Sequence, residues 1–346
     1  MEHKKKKAEI KKRKKINAST LAVLLVACLM VFVFGCDESL QTTPGESNVT
    51  NLGASWSKAL RIVQAGLADN NPLVRVHAIE VVASTGQLKL MPQVHRLMQD
   101  NYVPVRFATA LAVGDLEYSP AKRSLNKLLK DKDANVIVAA AYAMGKLGSS
   151  EHLHILRKAA TDSDQKVRAN AVLLLGKSDD QSSLRLLWNT MQDKNSDDRT
   201  VYQSAEALAM LGDKRIFQKL WTMLISAYAD VRLMGVRAMG KLKTPEAKSA
   251  LIRMLDDDVL EVGLVAAEQL GVLRDPIGES KVLEVYQKNL ASGLNKQASE
   301  RTNVLIALAI GQIRTPALRK ILPQMLQNES IFVRIAAAKA VFQCLK

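Results

Sequence analysis

The hydrophobic and polar positions of this chain repeat one pattern from about residue 55 to the C-terminus. A short polar turn is followed by Val-Arg and then by an Ala-rich apolar run, as in Val105 to Gly114. With the Arg position as the anchor of each copy, nine copies lie at Arg75, Arg106, Ile137, Arg168, Ser204, Arg232, Gly263, Asn303 and Arg334. Their commonest spacing is 31 residues. A fixed period of this size predicts a solenoid of stacked repeats.

Each copy predicts a helical hairpin. Small or apolar residues at positions −1, +3, +4, +6 and +7 from the anchor form the stripe of a 3.6-residue period, as in Val136, Ala140 and Met144. Between copies lies a second amphipathic stretch, for example 244–255, with Pro in its first turn. Period-2 runs that would predict strands are absent from the sequence, so the chain is predicted to be all-α.

Two residue types punctuate the hairpins. Gly recurs near position +8, where we expect a left-handed residue to end the helix, at Gly114, Gly145, Gly176, Gly212, Gly240, Gly271 and Gly311. Asp recurs at position −6, where it is predicted to form a turn or an N-cap, at Asp69, Asp100, Asp131, Asp162, Asp198 and Asp257. Copies five and eight depart from the pattern, since Gln203-Ser204 replaces Val-Arg and residues 287–302 insert polar sequence.

The Asp, Val-Arg, Ala-rich and Leu-Gly pattern resembles the short HEAT-like repeat of the phycobilisome-lyase type over roughly residues 55 to 346. The resemblance implies a right-handed α-solenoid of about nine stacked hairpins. With helices packed about 8 to 10 Å apart, nine hairpins in a row predict a curved rod on the order of 80 to 100 Å long. The last copy has no following hairpin, so Phe342, Cys344 and Leu345 are predicted to face an open end.

The N-terminus predicts export. Residues 3–15 are rich in Lys and lead into an apolar stretch from Leu21 to Gly35, which is typical of a signal peptide or a membrane anchor. The end of this stretch, Val33-Phe34-Gly35-Cys36, resembles the lipobox of bacterial lipoproteins, which implies lipidation at Cys36. Cys28 also fits the box by its letters, but cleavage there would leave 29–34 exposed. The alternative is that residues 16–35 remain as an uncleaved anchor.

Either alternative places the solenoid outside the cytoplasm, because the lysines stay inside. We therefore predict a bacterial protein held at the cell membrane that faces the periplasm or extracytoplasmic space. Asp37 looks like the inner-membrane retention signal of such lipoproteins. The predicted domains are 1–36 as signal or anchor, 37–54 as a flexible tether and 55–346 as the solenoid.

The net charge of +15 divides unevenly along the chain. Residues 1–15 hold nine basic and two acidic groups, so targeting accounts for about half of the charge. Other basic residues concentrate on the first helix of each hairpin, for example Lys122, Lys127 and Lys219. These helices could form a basic face for anionic lipid, cell-wall polymer or an acidic protein, or simply a solvated surface. Nucleic acid is not expected in that compartment.

Recurrent arginines and aspartates predict a structural ladder of hydrogen-bonded pairs within or between repeats. Its predicted members are Asp69, Arg75, Asp100, Arg106, Asp162, Arg168, Arg232 and Arg334. The apolar positions that the buried stripe leaves nearest solvent predict a concave groove for a helix or peptide, which neighbouring helices could also hide. The predicted groove residues are Phe107, Leu111, Tyr142, Leu173, Leu233, Met234, Leu264, Leu305 and Leu308, with His77, Glu80, Arg237, Glu268 and Lys339 as polar points.

Catalytic signatures are not found in the sequence. Chains with similar repeats include iron-dependent hydroxylases that bind metal through His-Glu pairs, and no His-Glu dipeptide occurs here. His152 and His154 lie at i and i+2, which do not share a helical face. We therefore expect no catalytic residues, metal, cofactor or small-molecule substrate. The predicted function is a membrane-tethered scaffold that binds a protein or peptide on its concave face. The alternative is a bilin- or metal-handling enzyme of the same repeat fold.

Overall fold

The computed structural model describes residues 46–345, with side chains from Gly53 onward, and its regular elements are all helical in this range. The predicted signal or anchor of 1–36, including Cys36, and residues 37–45 of the predicted tether lie outside the described residues. The first helix begins at Glu46, so the last part of the predicted tether, 46–54, belongs to a helix. Across residues 46–345, no helix is long and apolar enough to span a bilayer.

The helices pair into hairpins along the chain. The pairs are α1 Glu46–Leu67 with α2 Pro72–Thr85, α3 Met91–Arg96 with α4 Val103–Asp115, α5 Lys122–Leu128 with α6 Ala134–Lys146, α7 Leu153–Ala159 with α8 Gln165–Lys177, α9 Leu184–Gln192 with α10 Asp198–Met210, α11 Phe217–Leu224 with α12 Ala229–Leu242, α13 Pro245–Arg253 with α14 Leu260–Val272, α15 Glu279–Gln287 with α16 Lys296–Ile313, and α17 Pro316–Arg319 and α18 Leu322–Met325 with α19 Ile331–Cys344. We call the first helix of each hairpin outer and the second inner. Consecutive inner helices pack against one another, which confirms the predicted all-α solenoid.

Two hairpins differ from the predicted register. In most inner helices the anchor is the fourth residue, as Arg106 is in α4. By this count the anchor of α10 is Val201, so the predicted anchor Ser204 is wrong. The polar insertion at 287–302 lengthens α16, which has 18 residues where α14 has 13. The repeat is therefore more regular than the letters of copy five suggested.

Except for Gly212, the recurrent glycines do not end the inner helices. Gly114, Gly176 and Gly271 lie within α4, α8 and α14. Apart from Asn289, the residues with positive φ stand eleven positions after the anchor, at Gly86, Glu117, Gly148, Asp179, Gly212, Lys243, Arg274 and Arg314. The predicted role of the glycines near position +8 holds for Gly212 and is wrong for the others, because in those hairpins the left-handed residue lies further along the chain.

These glycines allow neighbouring inner helices to approach closely. A Cβ added at Gly176 would lie 2.6 Å from the Cα of Ala207, and one at Gly114 would lie 2.8 Å from the Cα of Ala143. Real Cβ atoms do not approach backbone this closely, so only Gly fits at these contacts. Because the inner helices are closely packed at their C-terminal ends while the outer helices carry larger side chains, the solenoid curves tightly.

The curvature closes the described chain into a ring. The last inner helix, α19, packs against α1 and α2 as well as against its neighbour α16. Trp56 of α1 contacts Phe342 of α19 with ring centroids 4.7 Å apart, and His77 of α2 contacts Phe332 at 5.4 Å. The predicted open rod and the open end at Phe342 are therefore wrong. The physical reason is that nine tightly curved hairpins bring the two ends together, where each covers the other.

Candidate functional site at the centre of the ring

The centre of the ring is lined by the residue five positions after each anchor. In order around the ring these residues are Glu80, Leu111, Tyr142, Leu173, Glu206, Arg237, Glu268, Leu308 and Lys339. Eight are buried, and the side chain of Arg237 is 11% exposed. Lys339 of the ninth hairpin interacts electrostatically with Glu80 of the first and Glu268 of the seventh. Side chains from distant hairpins therefore meet in one buried place.

We define the central cluster as four carboxylates, four cations and one tyrosine. Its members are Glu80, Asp115, Glu206 and Glu268, Lys177, Arg237, Lys241 and Lys339, and Tyr142. The formal charges of these carboxylates and cations balance. Buried charges are tolerated when they are paired in this way, so the cluster is consistent with a stable core at the ring centre.

Asp115 has the best-defined contacts in the central cluster. Its Oδ2 lies 2.8 Å from Nζ of Lys177, two hairpins away, and its Oδ1 accepts a hydrogen bond of 2.6 Å from the Tyr142 hydroxyl. The Lys177 ammonium also lies 5.4 Å from the centre of the Tyr142 ring. Elsewhere in the cluster, Arg237 lies 3.6 Å from Glu268. The contact of Asp115 with Lys177 connects inner helices that are not adjacent in the repeat order, and the other contacts connect consecutive inner helices.

Burial shifts the titration of the central cluster. It raises the pKa of Glu80, although the neighbouring His77, Lys339 and Lys177 oppose the shift. Burial likewise raises the pKa of Glu206 and lowers that of Lys339. Burial, followed by the charge of Asp115 and the hydrogen bond to it, raises the pKa of the Tyr142 phenol well above 10. Each shift favours the neutral form of a group that has little contact with water.

The polar groups of the centre are only partly satisfied. Glu80 Oε2 shares a 3.1 Å hydrogen bond with Nδ1 of His77, whereas Oε1 has no hydrogen-bond partner. A buried carboxylate oxygen without a donor costs free energy. Among the described residues, no group of three or more His, Cys, Asp and Glu side chains is arranged to hold a metal ion. The arrangement supplies cohesion between hairpins through balanced charge.

The predicted concave groove is not open. Leu111, Tyr142, Leu173, Leu233, Leu264, Leu305 and Leu308 are buried, while Phe107 and Met234 are half-buried and pack on the core. The expectation that these side chains line an exposed trough is therefore wrong. The physical reason is ring closure, because a solenoid that curves back on itself converts its concave face into core. The predicted polar points His77, Glu80, Arg237, Glu268 and Lys339 meet in or beside the central cluster.

The arginine and aspartate ladder runs from each hairpin to the next. Arg106 donates to both carboxylate oxygens of Asp131, at 2.9 and 2.8 Å, and to the backbone carbonyl of Asp100 at 2.9 Å. Arg75 and Arg232 likewise contact both carboxylate oxygens of Asp100 and Asp257. Arg168 donates to a single oxygen of Asp193, at 3.1 Å. Burial alone would raise the pKa of Asp131, but hydrogen bonds from Arg106 and from backbone N–H groups lower it.

The remaining predicted ladder residues bind within their own hairpin. The carboxylates of Asp69 and Asp162 accept from the backbone N–H of Asn71 and Asp164, at 2.8 and 2.9 Å. Arg334 donates to the carbonyls of 328 and 329, at 2.7 and 2.8 Å. The turn aspartate of copy five that pairs with Arg168 is Asp193. Asp198, the residue predicted for this turn, is instead the first residue of α10. The ladder therefore fixes the turns that precede the inner helices.

Three features of the structure were not predicted from the sequence. Ring closure, the close contacts at glycine and the central cluster all depend on residues far apart in the chain. The strongest signal in the sequence for the central cluster is position +5. Four hairpins have a charged residue there, whereas others have Leu or Tyr. Glu206 is a fifth charged residue at this position when α10 is numbered from Val201. An isolated hairpin would expose that position, so only the closed ring explains why both types occur there.

Comparison with protein families gives repeated matches. The model described as HEAT repeats matches residues 60–141, 123–209 and 156–235, which together span just over half of the chain. The model described as PBS lyase HEAT-like repeat matches residues 231–257. A comparison with curated proteins gives no match.

Solved structures with similar folds have low identity to this chain. Human deoxyhypusine hydroxylase in complex with glycerol is 16% identical, covers 76% of this chain and 99% of its own, and has a TM-score of 0.38. YibA of E. coli is 18% identical over 87% of this chain and 99% of its own, with a TM-score of 0.34. The CpcE and CpcF complex of phycocyanin lyase from Nostoc is 16% identical over 89% and 98%, with a TM-score of 0.33. At these scores the structures carry no functional argument, whereas the matches to the repeat model show that this chain belongs to the HEAT repeat family.

Proposed function

We propose that this chain is a membrane-tethered, extracytoplasmic scaffold that holds a protein partner on one rim of its ring. The centre of the ring is occupied by paired charges and by the buried apolar residues of the inner helices. A partner would therefore meet the outside of the ring. We call the turns that precede the inner helices the turn rim, which includes residues 100–102 and 225–228.

The turn rim has large apolar and tyrosine side chains that are exposed to solvent. Ile225 is 67% exposed, Tyr228 is 47% exposed and Tyr102 is 42% exposed. Large exposed apolar groups, and tyrosine in particular, are typical of protein interfaces. This exposure is the observation that carries the proposed partner site.

Two of these residues stand where a capping residue would stabilise the fold. Tyr102 and Tyr228 are the N-cap residues of α4 and α12, and neither side chain caps its helix. At the same position Asp133, Asp164 and Asp197 accept hydrogen bonds from the helix N–H groups. A lost cap costs about 1 kcal/mol. Tyrosine at these positions is therefore better explained by binding than by stability.

The ladder holds the turn rim in place. Arg232 donates to the carbonyl of Ser226 at 3.0 Å and to Asp257 of the next hairpin at 2.7 Å. The turn with Ile225 and Tyr228 is therefore tied to two hairpins. A surface that is ordered before binding loses less conformational entropy when a partner docks.

Membrane tethering is proposed from residues 3–36, through lipid on Cys36 or through an uncleaved anchor. Nine residues, 37–45, separate Cys36 from α1, and they reach at most about 30 Å. The proposal predicts that Cys36→Ser abolishes labelling by a palmitate analogue in growing cells, while Cys28→Ser does not. Normal labelling of the Cys36→Ser chain would contradict lipidation at this residue. A chain that stays in membranes without any lipid label would indicate the uncleaved anchor.

A photo-crosslinking residue at position 228 tests the partner site. We expect a protein adduct in cells from position 228 and none from position 88, because Leu88 lies on the opposite rim, although it is 57% exposed. Ile225→Asp should abolish the adduct, and Leu88→Asp should leave it intact, with circular dichroism unchanged in both variants. Equal adducts from both positions would contradict a specific turn-rim site.

The rival function, a bilin- or metal-handling enzyme, makes a different prediction. It requires a stoichiometric chromophore or metal in protein purified from its natural host. Absorbance spectra and elemental analysis of that protein separate the two functions. A bound chromophore or metal at a ratio near one would contradict the scaffold proposal.

A further inference from the structure

Positive charge is segregated on the outer helices of the first six hairpins. The outer segments 53–67, 88–99, 119–128, 150–159, 181–192 and 214–224 carry thirteen basic residues and a single carboxylate, Glu151. The basic residues are Lys58, Arg61, Lys89, Arg96, Lys122, Arg123, Lys127, Arg157, Lys158, Arg185, Lys214, Arg215 and Lys219. Twelve of them are exposed, and Lys58 is half-buried. We call this surface the basic arc.

The segregation ends abruptly at the seventh hairpin. The outer helix α13 carries Glu246 beside Lys248, and α15 carries Glu279 and Glu284 beside Lys281. A surface evolved only for solubility would mix both signs throughout, as these two helices do. The basic arc therefore differs from the ordinary solvated face that the same fold presents elsewhere.

Some arginines of the outer face are ordered against aromatic rings. The guanidinium of Arg215 lies 5.5 Å from the ring centre of Trp188, and that of Arg253, just beyond the arc, lies 5.7 Å from the ring centre of Trp221. Cation–π contacts of this kind hold a guanidinium in place without removing its charge. Arg157 and Arg215 also pair with Asp180 and Asp213, which lie just before two of the outer segments and offset two of the thirteen positive charges. Several charges of the face are thus fixed in position.

We propose that the basic arc binds a flexible, linear polyanion that follows the outside of the ring. Six hairpins at about 10 Å each span about 50 Å. The charge is spread around a convex surface, so a flat membrane would meet only part of it at one time. A flexible chain of phosphate or carboxylate groups can follow the curve and contact successive outer helices. This site is separate from the turn rim and does not depend on the proposed protein partner.

Binding would be driven by the release of counterions. A chain with repeating negative groups gives up condensed cations when lysine and arginine replace them, so affinity falls steeply with salt. Affinity should also rise with polymer length until the polymer spans the arc. A short oligomer that contacts one or two hairpins gains only part of this free energy.

The test uses the full chain in neutral detergent, with inorganic polyphosphate long enough to span the arc as the probe and triphosphate as the short control. Lysine acetylation is then read residue by residue by mass spectrometry, with and without the polymer. We expect protection of Lys122, Lys127, Lys158 and Lys219 and no protection of Lys281 or Lys288. This readout separates the basic arc from the basic N-terminal segment 3–15. Equal acetylation of the four arc lysines with and without polyphosphate would overturn the proposal.

Charge reversal supplies a matched pair of variants. Lys127→Glu with Lys219→Glu should lower polyphosphate affinity by about tenfold at about 0.1 M salt. Lys281→Glu with Lys288→Glu makes the same change in net charge outside the arc and should lower it much less. Equal losses from the two pairs would show a response to net charge alone and would overturn the site.

The remaining outcomes concern the class of ligand. Triphosphate that protects the arc lysines as well as the long polymer does would contradict binding along the arc. Stronger protection by phosphatidylglycerol vesicles than by polyphosphate, at equal anionic charge, would identify a membrane surface and would also overturn the proposal. Protection that requires the long polymer and is lost at high salt supports it.

Discussion

Trp56 and Phe342 lie near opposite ends of the described chain and pack edge to face, with ring centroids 4.7 Å apart and planes at 65°. The contact joins the first outer helix to the last inner helix. In an open solenoid both end hairpins would need polar caps to cover their exposed sides. Here each end covers the other, and the face that a HEAT repeat array would offer to a peptide becomes a core.

Gly176→Ala should destabilise the ring. Its new Cβ would lie 2.6 Å from the Cα of Ala207, so α8 and α10 would have to move apart. We expect a loss of about 1 to 3 kcal/mol in the free energy of unfolding, measured by urea denaturation. Gly53→Ala is the control, since nothing lies within 4 Å of its Cβ position. It should leave stability unchanged or slightly raised. Equal effects of the two changes would contradict the close helix contacts.

Asp115→Asn should also destabilise the ring, because it removes the negative charge that lies next to the Lys177 ammonium. The side chain of Asp115 is 20% exposed, that of Lys177 is 8% exposed, and the two charged groups lie 2.8 Å apart. Removing one partner of a buried pair costs about 3 kcal/mol. The control is Glu284→Gln, which breaks the pair of Glu284 with Lys288, where the side chains are 41% and 65% exposed. Exposed pairs of this kind contribute little to stability, because water screens them. Similar melting temperatures for both variants would indicate that the central cluster is solvated.

Glu80 gives the ring a pH dependence of defined sign. Its pKa is raised above 4.5 in the folded chain, so the fold favours the protonated form. That contribution to stability is full below the unfolded pKa of 4.5 and is lost as pH rises through the folded pKa. Stability of Glu80→Gln relative to the natural chain should therefore increase from pH 4 to pH 8, as measured by urea denaturation at both values.

The control for this pH dependence is again Glu284→Gln. Hydrogen bonding to Lys288 lowers the pKa of Glu284, so its contribution is present above 4.5 and is lost as pH falls. Its relative stability should change in the opposite direction between the same two pH values. Changes of the same sign in the two variants would contradict burial as the cause of the Glu80 shift.

Leu233→Asp distinguishes core from groove. Leu233 is 6% exposed, and a charge placed there would be buried without a partner. We expect a loss above about 4 kcal/mol, with reduced helical circular dichroism at 37 °C. An open groove would instead leave the helical signal intact. Met234→Asp at the adjacent, half-buried position should cost less and serves as the comparison.

The hairpins could be predicted from the sequence because a helix is a local object. Val136 and Ala140 form one apolar stripe within a single helix. Asp131 accepts a hydrogen bond from the backbone N–H of Asp133 in the same turn. The pairing of Arg106 with Asp131 could also be predicted, because arginine and aspartate recur with the period of the repeat. These features need only the residues of one or two hairpins.

Closure could not be predicted in this way. It depends on the small angle between neighbouring hairpins, which Gly114 and Gly176 set through contacts with the next inner helix. A small error in that angle, repeated over nine hairpins, separates a ring from an open rod. The burial of Leu264 and the meeting of Lys339 with Glu80 follow from the closed shape. For the same reason the concave residues were predicted to be exposed.

The ring itself is tested most directly by one distance. Asn70 lies in the turn between α1 and α2, and Glu329 lies in the turn before α19, so both exposed residues belong to the turn rim. With the native cysteines replaced by alanine, spin labels are attached at positions 70 and 329, and double electron–electron resonance measures the distance between them. The closed ring places them in adjacent hairpins, which predicts a single distribution below about 30 Å. A distribution near 80 Å, as an open rod of nine hairpins requires, would contradict the account.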